Sequence, residues 1–166
     1  MLRVLVLVDG SKNSDRAVKF LIQKIPLYKE PLEIHLLNVQ VPIASGNVKS
    51  YFSRDQIADY YRDEGVAALK SARKLLDAAG IQYAYHIGVG EVGDTVARYI
   101  KEKKLQQIVM GTRGLGSVSG MLLGSVATKV MHSAEVPVLP ATGRPSDFAL
   151  VPVPTWTTDV IMLVST

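Results

Sequence analysis

Residues 108–125 read IVMGTRGLGSVSGMLLGS. A short apolar, strand-like segment (Ile108, Val109, Met110) runs straight into Gly111, Gly114 follows after two residues, and Gly124 and Ser125 come after nine more. An apolar strand that empties into glycines, and then into a helix with Ser at its start, gathers backbone N–H groups around a phosphate. Without Cβ atoms such a loop takes positive φ and lets an anion approach the main chain. The stretch points to a nucleotide, and it calls for a sheet whose strands end at that loop.

Working outward, the rest of the chain supplies such a sheet. Residues 2–8 (LRVLVLV) form a continuous apolar run, as suits a parallel strand buried on both faces. Asp9-Gly10-Ser11 breaks the run, Asn13 or Ser14 is placed to cap a helix reaching about Ile25, and Pro26 follows. Residues 32–39 (LEIHLLNV) give a second strand, 42–53 are irregular, and 54–79 make a long amphipathic helix stopped by Gly80. Residues 81–88 give a third strand, 92–104 a third helix and 105–110 a fourth strand. A fourth helix is expected over 121–133 and a short fifth strand over 136–139. Strands alternating with helices imply βαβ units with right-handed crossovers, hence a doubly wound α/β domain around a parallel sheet.

In an open parallel sheet, ligands bind beyond the carboxyl ends of the strands where strand order reverses. Asp9 ends strand one and Gly111 ends strand four, so neighbouring placement of these strands brings both to one mouth. An Asp there can hold Mg²⁺ through water or bond a ribose hydroxyl. Ser125 and Thr128 can donate hydroxyls to phosphate oxygens, and Arg113 adds positive charge.

Composition sets the outer bounds. The 166 residues suit one compact domain, and 48% hydrophobic with 20% charged residues is the balance of a globular chain. No apolar run approaches the roughly 20 residues of a membrane helix, and residues 2–8 lack the flanks of a signal peptide. The chain has no cysteine, which rules out a disulfide scaffold and thiolate chemistry. The expectation is a cytoplasmic protein without membrane attachment. Nineteen Lys and Arg against fifteen Asp and Glu give a charge of +4, but the basic residues are scattered along helices. Nucleic-acid binding would need a concentrated stripe, so none is expected.

These motifs together resemble the universal stress protein family. GTRGLGSVSGMLLGS is similar to its glycine signature, here Gly111, Gly114, Gly124 and Ser125. The opening VLVLVDGS, the LLNV of strand two, Gly90, IVMGTRG and VPVL at 136–139 agree as well, so the likeness covers about residues 1–139. The resemblance implies an open five-stranded parallel sheet with helices on both faces, Rossmann-like and of the adenine nucleotide alpha hydrolase kind. It implies ATP, or AMP or ADP, with Mg²⁺, and a homodimer acting on an unidentified protein partner. Asp9, with Gly10 and Ser11 behind it, and Gly111, with Met110 before it, would lie near the ribose, Asp9 also being the metal candidate. The backbone of Val39 would meet the adenine. The Gly114 loop with Gly124, Ser125 and Val126 would hold the phosphates. Two positions depart from the family: Gln107 stands where Asp is common, and Pro140 is expected to interrupt the last strand and alter the usual dimer contact.

The chain does not read as an enzyme with fast turnover, since no residue of the loop is an obvious base. The alternatives are a slow ATPase or adenylating enzyme of the same fold, and a nucleotide-free dimeric module. Gly88, Gly90 and Gly93 also satisfy G-x-G-x-x-G, but Glu91 would oppose a pyrophosphate and no acidic residue follows about 20 positions on. A tight turn into helix three is the preferred reading. His35 and His86 read as core or edge histidines, and Tyr60 and Tyr61, with Tyr51, as a packed face. Residues 140–166 have no Lys or Glu, four of the eight prolines and the only tryptophan, and read as a separate tail.

Overall fold

The computed structural model describes residues 1–43, 52–112 and 123–141. Within these, five parallel strands form one sheet in the order β3-β2-β1-β4-β5. They are β1 Leu2–Leu7, β2 Leu32–Gln40, β3 Tyr83–Val89, β4 Gln107–Gly111 and β5 Val138–Ala141. Four helices alternate with them: α1 Lys12–Lys24, α2 Arg54–Ala78, α3 Val92–Lys103 and α4 Ser125–Ser133. A single 3-10 turn, Ile25–Leu27, absorbs Pro26 after α1. The doubly wound fold read from the sequence is the observed one.

Two apolar layers hold the sheet between the helices. Val4, Val6 and Val8 pack with Ala17, Leu21, Leu69 and Leu76 on one face, while Leu5, Leu7 and Ile108 pack with Val96, Ile100 and Val130 on the other. Alternation along a strand sends successive side chains to opposite faces, so β1 must be apolar throughout, which is why LRVLVLV shows no alternation. His35 is a core histidine: its ring lies between the Glu33 carboxylate at 2.9 Å and the Tyr99 hydroxyl at 3.1 Å. Burial pushes the Tyr99 phenol up to about 12.

Several sequence expectations shift. The cap of α1 is Ser11, not Asn13 or Ser14: its Oγ accepts from the Ser14 N–H at 3.2 Å, and Ser14 is already inside the helix. The fourth helix begins at Ser125, because Leu123 and Gly124 are non-helical, while Met121 lies outside the described residues.

Strand five also moves, from 136–139 to Val138–Ala141, and Pro140 sits inside it. The Ile108 N–H donates to the Pro137 carbonyl at 2.9 Å. In that register Leu139 and Ala141 face β4, and Pro140 turns its missing N–H outward. The proline therefore ends nothing at the inner side of the strand. The tail from residue 142 lies outside the described residues.

Candidate functional site

The chain leaves β1 toward β2 and β3 on one side and returns to β4 and β5 on the other, so strand order reverses between β1 and β4. Val6 pairs with Val109 and Leu7 with Leu37. Carried two residues further, this register sets Val8 level with Gly111 and Asp9 level with Val39. Three of the candidate positions, Asp9, Val39 and Gly111, thus come together at the carboxyl ends of three adjacent strands.

The first wall of the mouth is the turn after β1. Asp9 Oδ1 accepts from the Ser11 N–H at 3.0 Å, an Asx turn that throws the chain into α1. Gly10 takes φ +81°, a left-handed conformation that a side chain rarely adopts. Ser11 is buried and spends its hydroxyl on the helix cap, so it positions the turn and does not face a ligand with a free oxygen.

The second wall is the end of β4. A Cβ on Gly111 would lie 2.9 Å from the Asn13 carbonyl oxygen, so the strand end touches the start of α1 with no room for a side chain. Met110 is buried beneath it in the α3–α4 layer. Beyond lies the span that includes Arg113 and Gly114, both outside the described residues. The two ends of that span meet where the Gly124 N–H donates to the Thr112 carbonyl at 2.8 Å.

The third wall is the start of α4. Gly124 occupies the cap position with no side chain to accept from the first turn, so among the described residues no side chain caps those N–H groups. Ser125, Val126 and Thr128 are exposed there. The Thr128 hydroxyl donates back to the Gly124 carbonyl at 3.1 Å, which weakens its candidacy as a phosphate donor.

Sequence reading passed over the residues that fasten these walls. Asn38 is buried in β2, where its Nδ2 donates to the Val8 carbonyl at 2.7 Å and its Oδ1 accepts from Gln40 at 2.7 Å. A lone amide inside LEIHLLNV was the available signal. Behind the mouth, Glu91 caps α3 by accepting from the Asp94 N–H and also pairs with Lys129 of α4 at 2.7 Å. The Lys129 ammonium and the amides of Asp94 and Gly93 hold the Glu91 carboxyl below the usual 4.5.

The second glycine pattern has a packing cause. A Cβ at Gly88 would meet Thr95 Cγ2 at 2.7 Å, one at Gly90 Thr95 Oγ1 at 2.6 Å, and one at Gly93 Ser133 Oγ at 2.7 Å. These glycines admit the buried Thr95 and the end of α4. The tyrosines divide: Tyr61 is buried and accepts from the Ile43 N–H at 2.7 Å, Tyr60 is exposed beside it, and Tyr51 lies outside the described residues. In place of the family's Asp, Gln107 accepts from the Tyr28 hydroxyl at 3.2 Å.

As for a metal, no three His, Cys, Asp or Glu side chains cluster among the described residues as a protein cage would require. A single carboxylate at the mouth, Asp9, fits an ion held mainly by phosphate oxygens and water, the usual habit of Mg²⁺.

A model of the universal stress protein family matches residues 1–140. The chain belongs to that family. Universal stress protein YxiE of Bacillus subtilis is 30% identical over 146 residues, spanning 82% of this chain and 96% of that protein. Among solved structures, hypothetical protein MJ0577 agrees in fold with a TM-score of 0.72 at 21% identity, covering 86% of this chain and 96% of its own. A universal stress protein in complex with cAMP gives a TM-score of 0.62 at 25% identity over 86% and 98% of the two chains. No helix of the described residues is long and apolar enough to cross a membrane.

Proposed function

We propose that this universal stress protein binds an adenine nucleotide across the carboxyl ends of β1 and β4 and uses the bound state as a regulatory signal. The observation that carries the reading is the start of α4, whose cap residue Gly124 has no side chain to occupy its first amides, lying beyond the Gly111 strand end and tied to it by the Gly124–Thr112 hydrogen bond. Outward N–H groups at a helix start, carrying the positive end of the helix dipole, favour phosphate. The family member solved with cAMP supports the adenine class.

In this reading Asp9, with Gly10 and Ser11 shaping its turn, takes the ribose or a water of a Mg²⁺ ion. Val39 offers its backbone to the base. Met110 and Gly111 form the floor, and Arg113, Gly114, Gly124, Ser125, Val126 and Thr128 surround the phosphates. Mg²⁺, when bound, neutralises phosphate charge. ATP is the expected ligand, AMP or ADP its products or substitutes. Residues 1–139 carry this activity in the cytoplasm, the 140–166 tail is separate from it, and the chain works as a homodimer on a protein partner.

Hydrolysis is slow, because fast phosphoryl transfer needs a positioned water-orienting group as well as charge. Turnover above about 1 s⁻¹, the low end of ordinary enzymes, would contradict this. The direct test is to denature freshly purified protein, chromatograph the released small molecules and repeat with Gly124→Val. Gly124 has φ −78° and ψ 161°, which valine accepts without backbone strain, and a thermal melt of the variant checks that it folds. Adenine nucleotide from the wild type alone supports the site. An empty wild type that also gains no melting temperature from Mg-ATP overturns it.

A further inference from the structure

The sheet has two outer edges, and they are built differently. At β5, Val138 and Pro140 are the strand residues that face outward, so proline removes one of the donors on offer. At β3, the Gly90 N–H donates to the Gln40 carbonyl at 3.0 Å. In that register Tyr83, Tyr85, Ile87 and Val89 turn their N–H and C=O groups away from β2. None of the seven residues YAYHIGV is a proline, an acid or a lysine. The residue types that normally blunt an edge strand are missing from β3.

Helix α2 lies along this edge and gives it a charge. Gly65 lets the helix touch Ile87, since a Cβ there would be 2.6 Å from that side chain. Farther along, the Arg73 guanidinium sits 4.4 Å over the Tyr85 ring and donates to the Tyr83 hydroxyl at 3.3 Å. Asp63, Val66, Lys70, Arg73, Lys74 and Asp77 line one groove along the helix, with the three cations in its middle and an acid at each end. Among the described residues neither Lys70 nor Lys74 enters an ion pair, and both are exposed. Val66, Tyr85 and Val89 add exposed apolar surface.

We propose that β3 receives an extended acidic peptide segment of a partner protein as a sixth strand. Its backbone would pair with the outward groups of Tyr83, Tyr85, Ile87 and Val89, the mode in which sheet edges bind peptides. On the α2 side, alternate side chains of that segment would reach Lys70 and Lys74, so acids belong there and apolar residues beside Val66 and Tyr85. A second copy of this chain fits less well. Antiparallel pairing of two β3 strands about a twofold axis brings the cationic middle of one α2 toward that of the other.

The test uses the full chain and labelled nine-residue peptides alternating Val with Glu or Val with Lys, read by fluorescence anisotropy. The Glu peptide should bind at least about tenfold more tightly, and Lys70→Glu with Lys74→Glu should reverse the order. A Glu peptide N-methylated along one edge should lose binding, which probes the ladder without altering the protein. Amide exchange at Tyr85 and Ile87 should be fast in the free chain and slow with the Glu peptide. Equal binding of both peptides overturns the proposal. So does protection of those amides in the free chain: if it depends on concentration a second copy holds the edge, and if not, the chain covers its own edge.

Discussion

Two turns that carry glycines lie at the carboxyl end of this sheet, and the glycines sit in different surroundings. At Gly88, Gly90 and Gly93 the space that a Cβ would fill is occupied by protein, by Thr95 and Ser133. At Gly124 the cap position is extended and offers the first turn of the helix no side-chain acceptor. Gly111 stands between the two cases, pressed on Asn13 at the rim of the mouth. A glycine pattern therefore marks a close approach, and only what approaches decides between packing and binding.

Substitution at each turn separates these uses. Gly124→Val should cost the most in binding, about 100-fold in nucleotide affinity or roughly 2.7 kcal/mol, with the melting temperature of the nucleotide-stripped protein unchanged. Calorimetric titration with Mg-ATP and a thermal melt measure the two halves. Gly88→Ala should do the reverse. Its Cβ lies 2.7 Å from a buried, β-branched threonine, so about 1–3 kcal/mol of stability is lost by overpacking while nucleotide affinity holds. Adding Thr95→Ala should recover part of that loss in denaturant titration, and no recovery would mean that the contact is not the cause.

Asp9→Ala should have an intermediate effect. It removes the acceptor for the Ser11 N–H, worth about 1 kcal/mol, and it lowers nucleotide affinity where Gly88→Ala does not.

The smallest effect lies at Glu91, which caps α3 beside Gly90 and pairs with exposed Lys129. Its carboxyl titrates below its ordinary value in the folded chain, first through Lys129 and then through the backbone. A depressed folded value contributes stability above the unfolded value and loses it as pH falls through the folded one. The melting-temperature gap between wild type and Glu91→Gln should thus be steady above about pH 5 and narrow as pH falls below the ordinary carboxylate range. A gap that persists in acid would assign it to helix capping alone.

The sheet was readable because β1 and β2 carry long apolar runs that no competing helix period explains, and because strand and helix alternate. The ends of elements were harder. Ser11 and Ser14 are both good caps by composition, and only the three-dimensional turn at Asp9 decides that Ser11 takes the role. The strand interruption expected at Pro140 does not occur, because its effect depends on which way its backbone faces, and that follows from the Ile108–Pro137 bond, not from the residue type. Asp9, Gly111 and Gly124 could be named as candidates from their spacing, and Val39 only from the family resemblance. Asn38 could not, since its partner, the Val8 carbonyl, lies on another strand. Arg113 and Gly114 rest on sequence alone.

The pairing of β1 with β4 has a consequence for how the chain folds. Arg3 and Gln106, joined by a 3.1 Å hydrogen bond, are 103 residues apart, whereas β1, β2 and β3 follow one another along the chain. Closing so long a loop costs entropy before its contacts repay it. The half of the sheet from β1 to β3 can assemble while the remainder is still being synthesised, and the mouth exists only after β4 has inserted. Contacts made there are expected to form late, after the transition state. A ligand held at the mouth would then slow unfolding and leave the folding rate nearly untouched.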